Sequence, residues 1–224
     1  MNNNMDQLVI TIDRQYGSGG HIIGKKLAED LRIPFYDNDL IKESAKSSGI
    51  CEEIFESFDE KPTSSFLYSL VMDPLSLGYT NQSFEMPINY KVFLASFDTI
   101  KQLAQNGPCV FVGRCADYAL SDTGIPCLNV FVKAPMESRM KRAEEVYGIE
   151  HDKCKEFAAK MDKERSSYYN YYTSNRWGHA KYYDLCIDSS KYGIHGSVEL
   201  IKHAVELRKK RLPKISSCET DTTE

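Results

Sequence analysis

Continuous apolar runs alternate along the chain with segments of helical periodicity. Residues 8–13 begin with a β-branched run, and residues 21–31 then carry apolar side chains at three-to-four spacing. Residues 32–36 form a short extended piece, because Pro34 restricts its predecessor to β-like backbone angles. The order strand, loop, helix, strand predicts the opening of an α/β fold.

The same alternation continues to the end of the chain. Residues 38 to about 106 have a mostly helical pattern that finishes in an amphipathic helix over 90–104. Buried parallel strands are predicted at three later apolar runs, residues 109–112, 127–133 and 183–188. Further helices are predicted from Pro135 onward, over residues 151–176 and over residues 195–211. We therefore expect one sheet of four or five strands flanked by helices, with a helical insertion near residues 40–90 and frayed polar tails.

Composition narrows the class of protein. The 224 residues are 42% hydrophobic and 27% charged, which is typical of a globular protein with a sizeable core. A net charge of −4 argues against a general nucleic-acid binder. No apolar stretch approaches the ~20 residues of a membrane span, and the polar start lacks the features of a signal peptide. The seven cysteines are scattered without CxxC spacing, so we expect a reduced, cytoplasmic protein without a structural metal and without a membrane partner.

The most informative stretch is DRQYGSGGHIIGKK, residues 13–26, which follows the first strand and opens the first helix. Glycines at such a turn let backbone N–H groups surround an anion, and the helix start adds its positive dipole end. Compared with the phosphate-loop template GxxxxGK(S/T), the stretch keeps Gly19. Arg14 stands at the first glycine, Gly20 at the lysine and His21 at the Ser/Thr. An anion cradle is favoured over a plain tight turn, although both chemical side chains of the template are missing.

Several stretches in a fixed order carry a family resemblance. They are ITIDRQYGSGG, KKLAEDLRIPFYDNDLI, FVGRCADY, NVFVKAPMESRMKR, MDKERSSYYNYYT and YYDLCIDSS. In this order the chain resembles the cytidylate kinase-like family, a divergent branch of the P-loop nucleoside monophosphate kinases. The resemblance implies a P-loop NTPase fold with one kinase-like domain over residues 8–212. It also implies a nucleoside monophosphate-binding insertion at about 38–90, a lid at about 150–178, and tails at 1–7 and 213–224 that we expect to be disordered.

The resemblance further implies transfer of the ATP γ-phosphoryl group to CMP or dCMP, with Mg²⁺. The residues expected to line the donor phosphates are Gly17, Ser18, Gly19, Gly20 and His21. Asp37 matches the aspartate at the entry to the monophosphate region, and Arg114 matches the arginine that grips the acceptor phosphate. Arg165 and Arg176 fall among the lid arginines, and Arg139 matches an arginine after the fourth strand.

The absent lysine leaves the catalytic cation open. Phosphoryl transfer needs positive charge around the phosphate oxygens, and arginine supplies it as a permanently charged planar fork. Arg14 is the first candidate to replace the lysine; its alternative role is a salt bridge to Asp13 or Asp37. With Arg114 and Arg165 it completes the candidate catalytic set.

Other residues also allow two interpretations. Arg114 follows a buried strand, where its charge requires a ligand phosphate or an internal carboxylate. Asp117 could be that carboxylate, or it could contact a ribose or Mg²⁺; Asp13 is the other candidate magnesium ligand. The tyrosine-rich run at residues 168–172 could stack on a base, but packing within the domain is favoured.

Three functions remain open at this point. The first is an ATP-dependent nucleoside monophosphate kinase, with CMP as the first candidate acceptor. The second is a degenerate kinase that binds nucleotide or phosphate without turnover, as the missing lysine suggests. The third is a P-loop kinase for another small acceptor, since residues 50–90 match the family weakly. The sequence does not indicate an oligomeric state.

Overall fold

The computed structural model describes residues 8–37 and 88–211. Its strands are β1 (Val9–Arg14), β2 (Phe35–Tyr36), β3 (Val110–Val112), β4 (Cys127–Lys133) and β5 (Leu185–Asp188). Its α-helices are α1 (Gly20–Leu31), α2 (Ile88–Gln105), α3 (Ala116–Ala119), α4 (Met136–Tyr147), α5 (His151–Thr173) and α6 (Ser189–Arg211). A 3₁₀ turn, Ala180–Tyr182, precedes β5.

The five strands form one parallel sheet in the order β2-β3-β1-β4-β5. Strand β1 lies at its centre, where Ile10 pairs with Val110 on one side and with Leu128 on the other. Because β1 has neighbours on both edges and helices on both faces, all six of its residues are buried. The α/β architecture predicted from the alternating pattern is confirmed.

Two apolar clusters hold helices on opposite faces of the sheet. Ile10 and Ile12 of β1 belong to a cluster with Ile23 of α1 and Val198 of α6. Val9, one residue out of phase, belongs to a second cluster that includes residues of α2 and α5. Successive side chains of a strand point to opposite faces, so this two-residue period produces three layers, helix–sheet–helix.

Element boundaries differ from the predictions where a local backbone feature intervenes. Strand β5 begins at Leu185 rather than at residue 183, because the amide of Tyr183 closes the preceding 3₁₀ turn on Ala180. Helix α5 ends at Thr173 because Ser174 takes a left-handed conformation, with φ 56°. The last helix already begins at Ser189, but Gly193 interrupts it with non-helical angles, and the predicted helix over 195–211 is the part beyond this kink.

The tyrosine-rich run of α5 packs in the domain. Tyr168 and Tyr169 are buried, and Tyr172 stacks on Phe93 of α2 with ring centroids 4.0 Å apart. The packing interpretation is therefore confirmed. The five described cysteines are free. Within residues 8–37 and 88–211 no helix is long and apolar enough to cross a membrane. The predicted tails and nearly all of the predicted insertion, residues 38–87, lie outside the described residues, so these domain boundaries stay predictions.

Candidate functional site

The glycine-rich loop joins the central strand to the first helix. Gly17 and Gly19 have positive φ angles of 72° and 85°, which L side chains rarely adopt. A Cβ on Gly17 would also lie only 2.5 Å from the carbonyl oxygen of Arg139. Gly19 is the N-cap of α1 and has no side chain to cap the helix, so the first-turn amides remain for an anion or water.

Three helices hold this loop in place. The Asp162 carboxylate of α5 accepts the backbone N–H of Tyr16 at 2.7 Å, and Arg142 of α4 donates to the carbonyl of Gly17 at 2.7 Å. Ser189, the first residue of α6, donates its hydroxyl to the carbonyl of Ser18. The loop is thus fixed by side chains remote in sequence, which gives a binding site preorganised geometry.

The loop forms one wall of a cavity of about 300 Å³. Three arginines line it, and among the described lining residues the only carboxylate is Asp37. Its lining comprises Arg14, Gln15, Tyr16, Gly17, Gly19, Gly20, His21, Asp37, Arg114, Tyr147 and Arg165. Two of the arginines, Arg14 and Arg114, are each only 8% exposed. Arginine charge in a partly desolvated cleft at the carboxyl ends of parallel strands is suited to a phosphorylated ligand.

Arg14 reaches the cavity across two glycines. A Cβ on Gly20 would lie 2.5 Å from the Cβ of Arg14, and one on Gly113 would lie 2.0 Å from its Nη1. The arginine side chain therefore starts over Gly20 and ends beside Gly113. In the phosphate-loop template the glycine stands at position 14 and the long cation at position 20. Here the two are exchanged, and the space at Gly20 is what admits Arg14.

The carboxylate of Asp37 lies close to two other side chains of the cavity lining. Its carboxylate oxygens lie 3.8 Å from Nη2 of Arg14 and 2.9 Å from Nε2 of His21. Burial acts to raise the pKa of Asp37, but the His21 hydrogen bond and the Arg14 charge outweigh it, and the pKa lies below its usual value. The salt bridge with Asp37 that the sequence offers as one role of Arg14 is therefore present, and the phosphate contact stays a prediction for a side chain that also lines the cavity.

Arg114 stands on an unusual turn after β3. Gly113, Arg114 and Cys115 have successive φ angles of 82°, 61° and 54°. Left-handed conformations of non-glycine residues cost of order 1–3 kcal/mol each and concentrate at functional sites. Burial lowers the pKa of Arg114 to about 10, so the guanidinium stays charged at neutral pH.

Arg165 enters the cavity from α5. Its Nη1 donates to the carbonyl oxygen of Arg14 at 3.2 Å, and its guanidinium carbon lies 5.7 Å from the ring centroid of Tyr16. The structure thus brings together the three predicted catalytic arginines, together with four of the five predicted donor-phosphate residues.

Other predicted site residues lie outside the cavity lining. Ser18 is fully buried and donates to the carbonyl of Gln15. Arg139, 2% exposed, forms a salt bridge with Asp162, and the Asp162 carboxylate also accepts the backbone N–H of Tyr16 in the loop. Arg176 is exposed beyond the end of α5.

Asp117 contacts Tyr169, which is not among the partners that the sequence suggests, namely Arg114, a ribose or Mg²⁺. Its carboxylate accepts the hydroxyl of Tyr169 at 2.6 Å. Burial and the nearby charge of Asp13 raise the pKa of Asp117 to about 7. Asp13 itself accepts the backbone N–H of Arg14 and the hydroxyl of Tyr183. Both candidate magnesium ligands are thus engaged in protein hydrogen bonds, and the described residues contain no group of three or more metal-ligating side chains.

Three features of the site were missed in the sequence. Tyr16 and Tyr147 line the cavity, and Arg142 ties α4 to the loop. Tyr147 is the last residue of α4, and no local motif distinguishes it from a solvent-exposed helix end. Arg142 is one of several charged residues of α4, and only its contact with Gly17 distinguishes it from them.

Comparisons with known proteins identify the family of this chain. The sequence model of the cytidylate kinase-like family matches residues 9–191. A cytidylate kinase of Methanocaldococcus jannaschii is 31% identical over 111 residues, which cover 49% of this chain and 62% of that protein. A cytidylate kinase of Pyrococcus horikoshii is 24% identical over 203 residues, which cover 90% of each chain.

Solved structures show the same architecture. An uncharacterized protein from Eubacterium ventriosum superposes with a TM-score of 0.66 at 26% identity, covering 89% of this chain and 98% of the other. A shikimate kinase from Bacteroides thetaiotaomicron superposes with a TM-score of 0.51 at 15% identity, covering 89% and 98%. At that identity the second likeness concerns the fold alone.

Proposed function

Because the chain belongs to the cytidylate kinase-like family, we propose that it is an ATP-dependent kinase for a nucleoside monophosphate, with CMP or dCMP as the first candidate. In this reaction a phosphate oxygen of the acceptor bonds to the γ-phosphorus while the bond from that phosphorus to the ADP oxygen breaks. The protein's task is to align these atoms and to offset the charge on the transferred group.

The observation that carries the proposal is the meeting of Arg14, Arg114 and Arg165 with the glycine loop in one cavity. The described lining of this cavity contains three guanidinium groups and one carboxylate, that of Asp37, so it is predominantly positive. A triphosphate or a pair of phosphates is the complementary ligand.

Each arginine has a distinct place in the proposal. The loop amides and Arg14 hold the donor phosphates, with Arg14 in the role of the template lysine. Arg114, presented by the left-handed turn after β3, holds the acceptor phosphate. Arg165 closes the third side from α5, the helix within the segment that we assign to the lid.

Magnesium would come with the nucleotide. The carboxylates of Asp13 and Asp117 accept protein hydrogen bonds, and the described residues contain no group of three or more metal-ligating side chains. A nucleotide-borne Mg²⁺ needs few protein ligands. It would supply further charge neutralisation at the phosphates.

A second candidate is supported by Gly20 and His21. A loop without its lysine and Ser/Thr could bind nucleotide without transferring phosphate, and the ion pair of Arg14 with Asp37 already satisfies part of the arginine's charge. Because residues 50–90 match the family weakly, a small acceptor other than a nucleoside monophosphate is a further candidate.

A screen of acceptors separates these possibilities. Purified protein is incubated with ATP, Mg²⁺ and each common nucleoside monophosphate or small hydroxyl acceptor, and ADP release is followed. CMP-dependent release that Arg114→Ala lowers by about 10³-fold or more supports the proposal. The control Arg208→Ala changes an exposed arginine outside the cavity lining and should retain activity. Nucleotide binding without turnover on any acceptor would instead favour the binding protein.

A further inference from the structure

Two exposed aromatic rings pack against the glycine loop, and one of them lines the arginine-lined cavity. Tyr147, at the end of α4, is 43% exposed and is itself a lining residue. Phe157, on α5, is 38% exposed. Both rings pack around Tyr16 of the glycine loop, with ring centroids 5.5 Å and 5.2 Å from it.

Tyr16 is the fixed centre of this group. Its backbone N–H is held by Asp162, and the Arg165 guanidinium lies over its ring. With Tyr147 and Phe157 on other sides, Tyr16 is only half-buried yet firmly positioned. Tyr147 is therefore the ring that combines a fixed aromatic support with a large exposed surface at the cavity.

A nucleotide matches this arrangement in both of its parts. Its phosphates are complementary to the arginines, while its base has a π face that stacks on aromatic side chains with little dependence on base identity. A sugar phosphate or an inorganic phosphate has no such face. We propose that Tyr147 is the stacking platform for the base of the nucleotide whose phosphates occupy the cavity. This inference rests on the proposed function of the cavity as a nucleotide phosphate site.

The platform has a specific consequence for ligand choice. Stacking adds affinity for the base but does not distinguish bases by their hydrogen-bonding groups, so ATP and GTP should bind similarly. Both should bind more tightly than tripolyphosphate. Tripolyphosphate carries the same chain of three phosphates and no base, so it isolates the contribution of the cavity.

Calorimetric titration of the full chain with ATP and with tripolyphosphate tests the platform. Tyr147→Ala should weaken ATP binding by about fivefold to a hundredfold, the range expected for one base stacked on an aromatic ring. Its affinity for tripolyphosphate should stay within about twofold of wild type. Tyr147→Phe keeps the ring and should bind ATP like wild type. Tyr192→Ala removes an exposed tyrosine of α6 outside the cavity lining and should leave both affinities unchanged.

The outcomes separate this inference from the function on which it rests. Equal weakening of both ligands by Tyr147→Ala, or no change in either, overturns the platform. Wild-type protein that binds tripolyphosphate as tightly as ATP also overturns it, while the phosphate site stands. Wild-type protein that binds neither ligand overturns the phosphate site and the platform together.

Discussion

Replacing Gly113 by alanine tests the position of Arg14 without removing its charge. Gly113 has φ +82°, and an added Cβ would lie 2.0 Å from Nη1 of Arg14. Non-bonded heavy atoms approach to about 3.5 Å, so the guanidinium would have to move by roughly 1.5 Å. A shift of that size exceeds the ~0.5 Å width of the hydrogen-bond distance range and breaks a charge-assisted bond to a bound phosphate.

The expected loss follows from that one bond. Hydrogen bonds to charged groups contribute about 1.5–3 kcal/mol, which corresponds to roughly 10- to 150-fold in the Kd for tripolyphosphate. The left-handed backbone adds a separate cost of about 1–2 kcal/mol to folding, because alanine tolerates positive φ poorly. Titration calorimetry measures the first quantity and urea denaturation the second.

Gly124→Ala is the matched control. Gly124 also has a left-handed backbone, with φ +72°, but a Cβ there meets no atom of the described residues within 4 Å. Both variants should therefore lose similar stability, and only Gly113→Ala should lose affinity for tripolyphosphate. Equal binding by the two variants would show that Arg14 does not reach the bound phosphate.

Two further predictions concern the surroundings of the site. The pKa of Asp117 is raised to about 7, so its contribution to stability is full below about pH 4 and is lost as the pH rises towards 7. Asp117→Asn stays neutral at every pH, so the variant should be more stable than wild type where Asp117 would ionise. In urea denaturation the gain in the free energy of unfolding should be roughly 1–4 kcal/mol at pH 8 and far less at pH 4. An equal gain at both pH values would contradict the raised pKa of Asp117. In the same assay Arg139→Ala should lower the free energy of unfolding by about 3–5 kcal/mol, because it leaves Asp162 without its buried partner. The control Lys141→Ala removes one member of an exposed surface pair and should lower it by less than about 1 kcal/mol. A cost for Arg139→Ala as small as that of Lys141→Ala would show that the buried pair is not stabilising.

The fold could be predicted because each element has a local cause. Strand β4 covers residues 127–133 as predicted, since a continuous apolar run bounded by polar residues has few alternatives to a buried strand. Helix α6 was placed less well, because Gly193 allows a kinked turn to precede the periodic segment. Local pattern identifies an element more reliably than it identifies its ends.

The candidate site could be predicted only in part. The glycine loop and Arg14 are adjacent in sequence, so the sequence alone predicts that they lie close together in space. The partners Asp117 and Tyr169 lie 52 residues apart, and Arg139 and Asp162 lie 23 apart. Such pairs depend on how helices pack against the sheet, which periodicity does not specify.

We propose that Arg14 supplies the cation of the phosphate loop through the space left by Gly20. The most direct measurement is the Kd for tripolyphosphate of wild type, Arg14→Gly, Gly20→Lys and the double variant. Arg14→Gly should bind at least tenfold more weakly, and Gly20→Lys should also be impaired because its Cβ meets that of Arg14 at 2.5 Å. The double variant, which restores the template arrangement, should recover to within a few-fold of wild type. An Arg14→Gly protein that binds like wild type, or a double variant no tighter than either single variant, would contradict the claim.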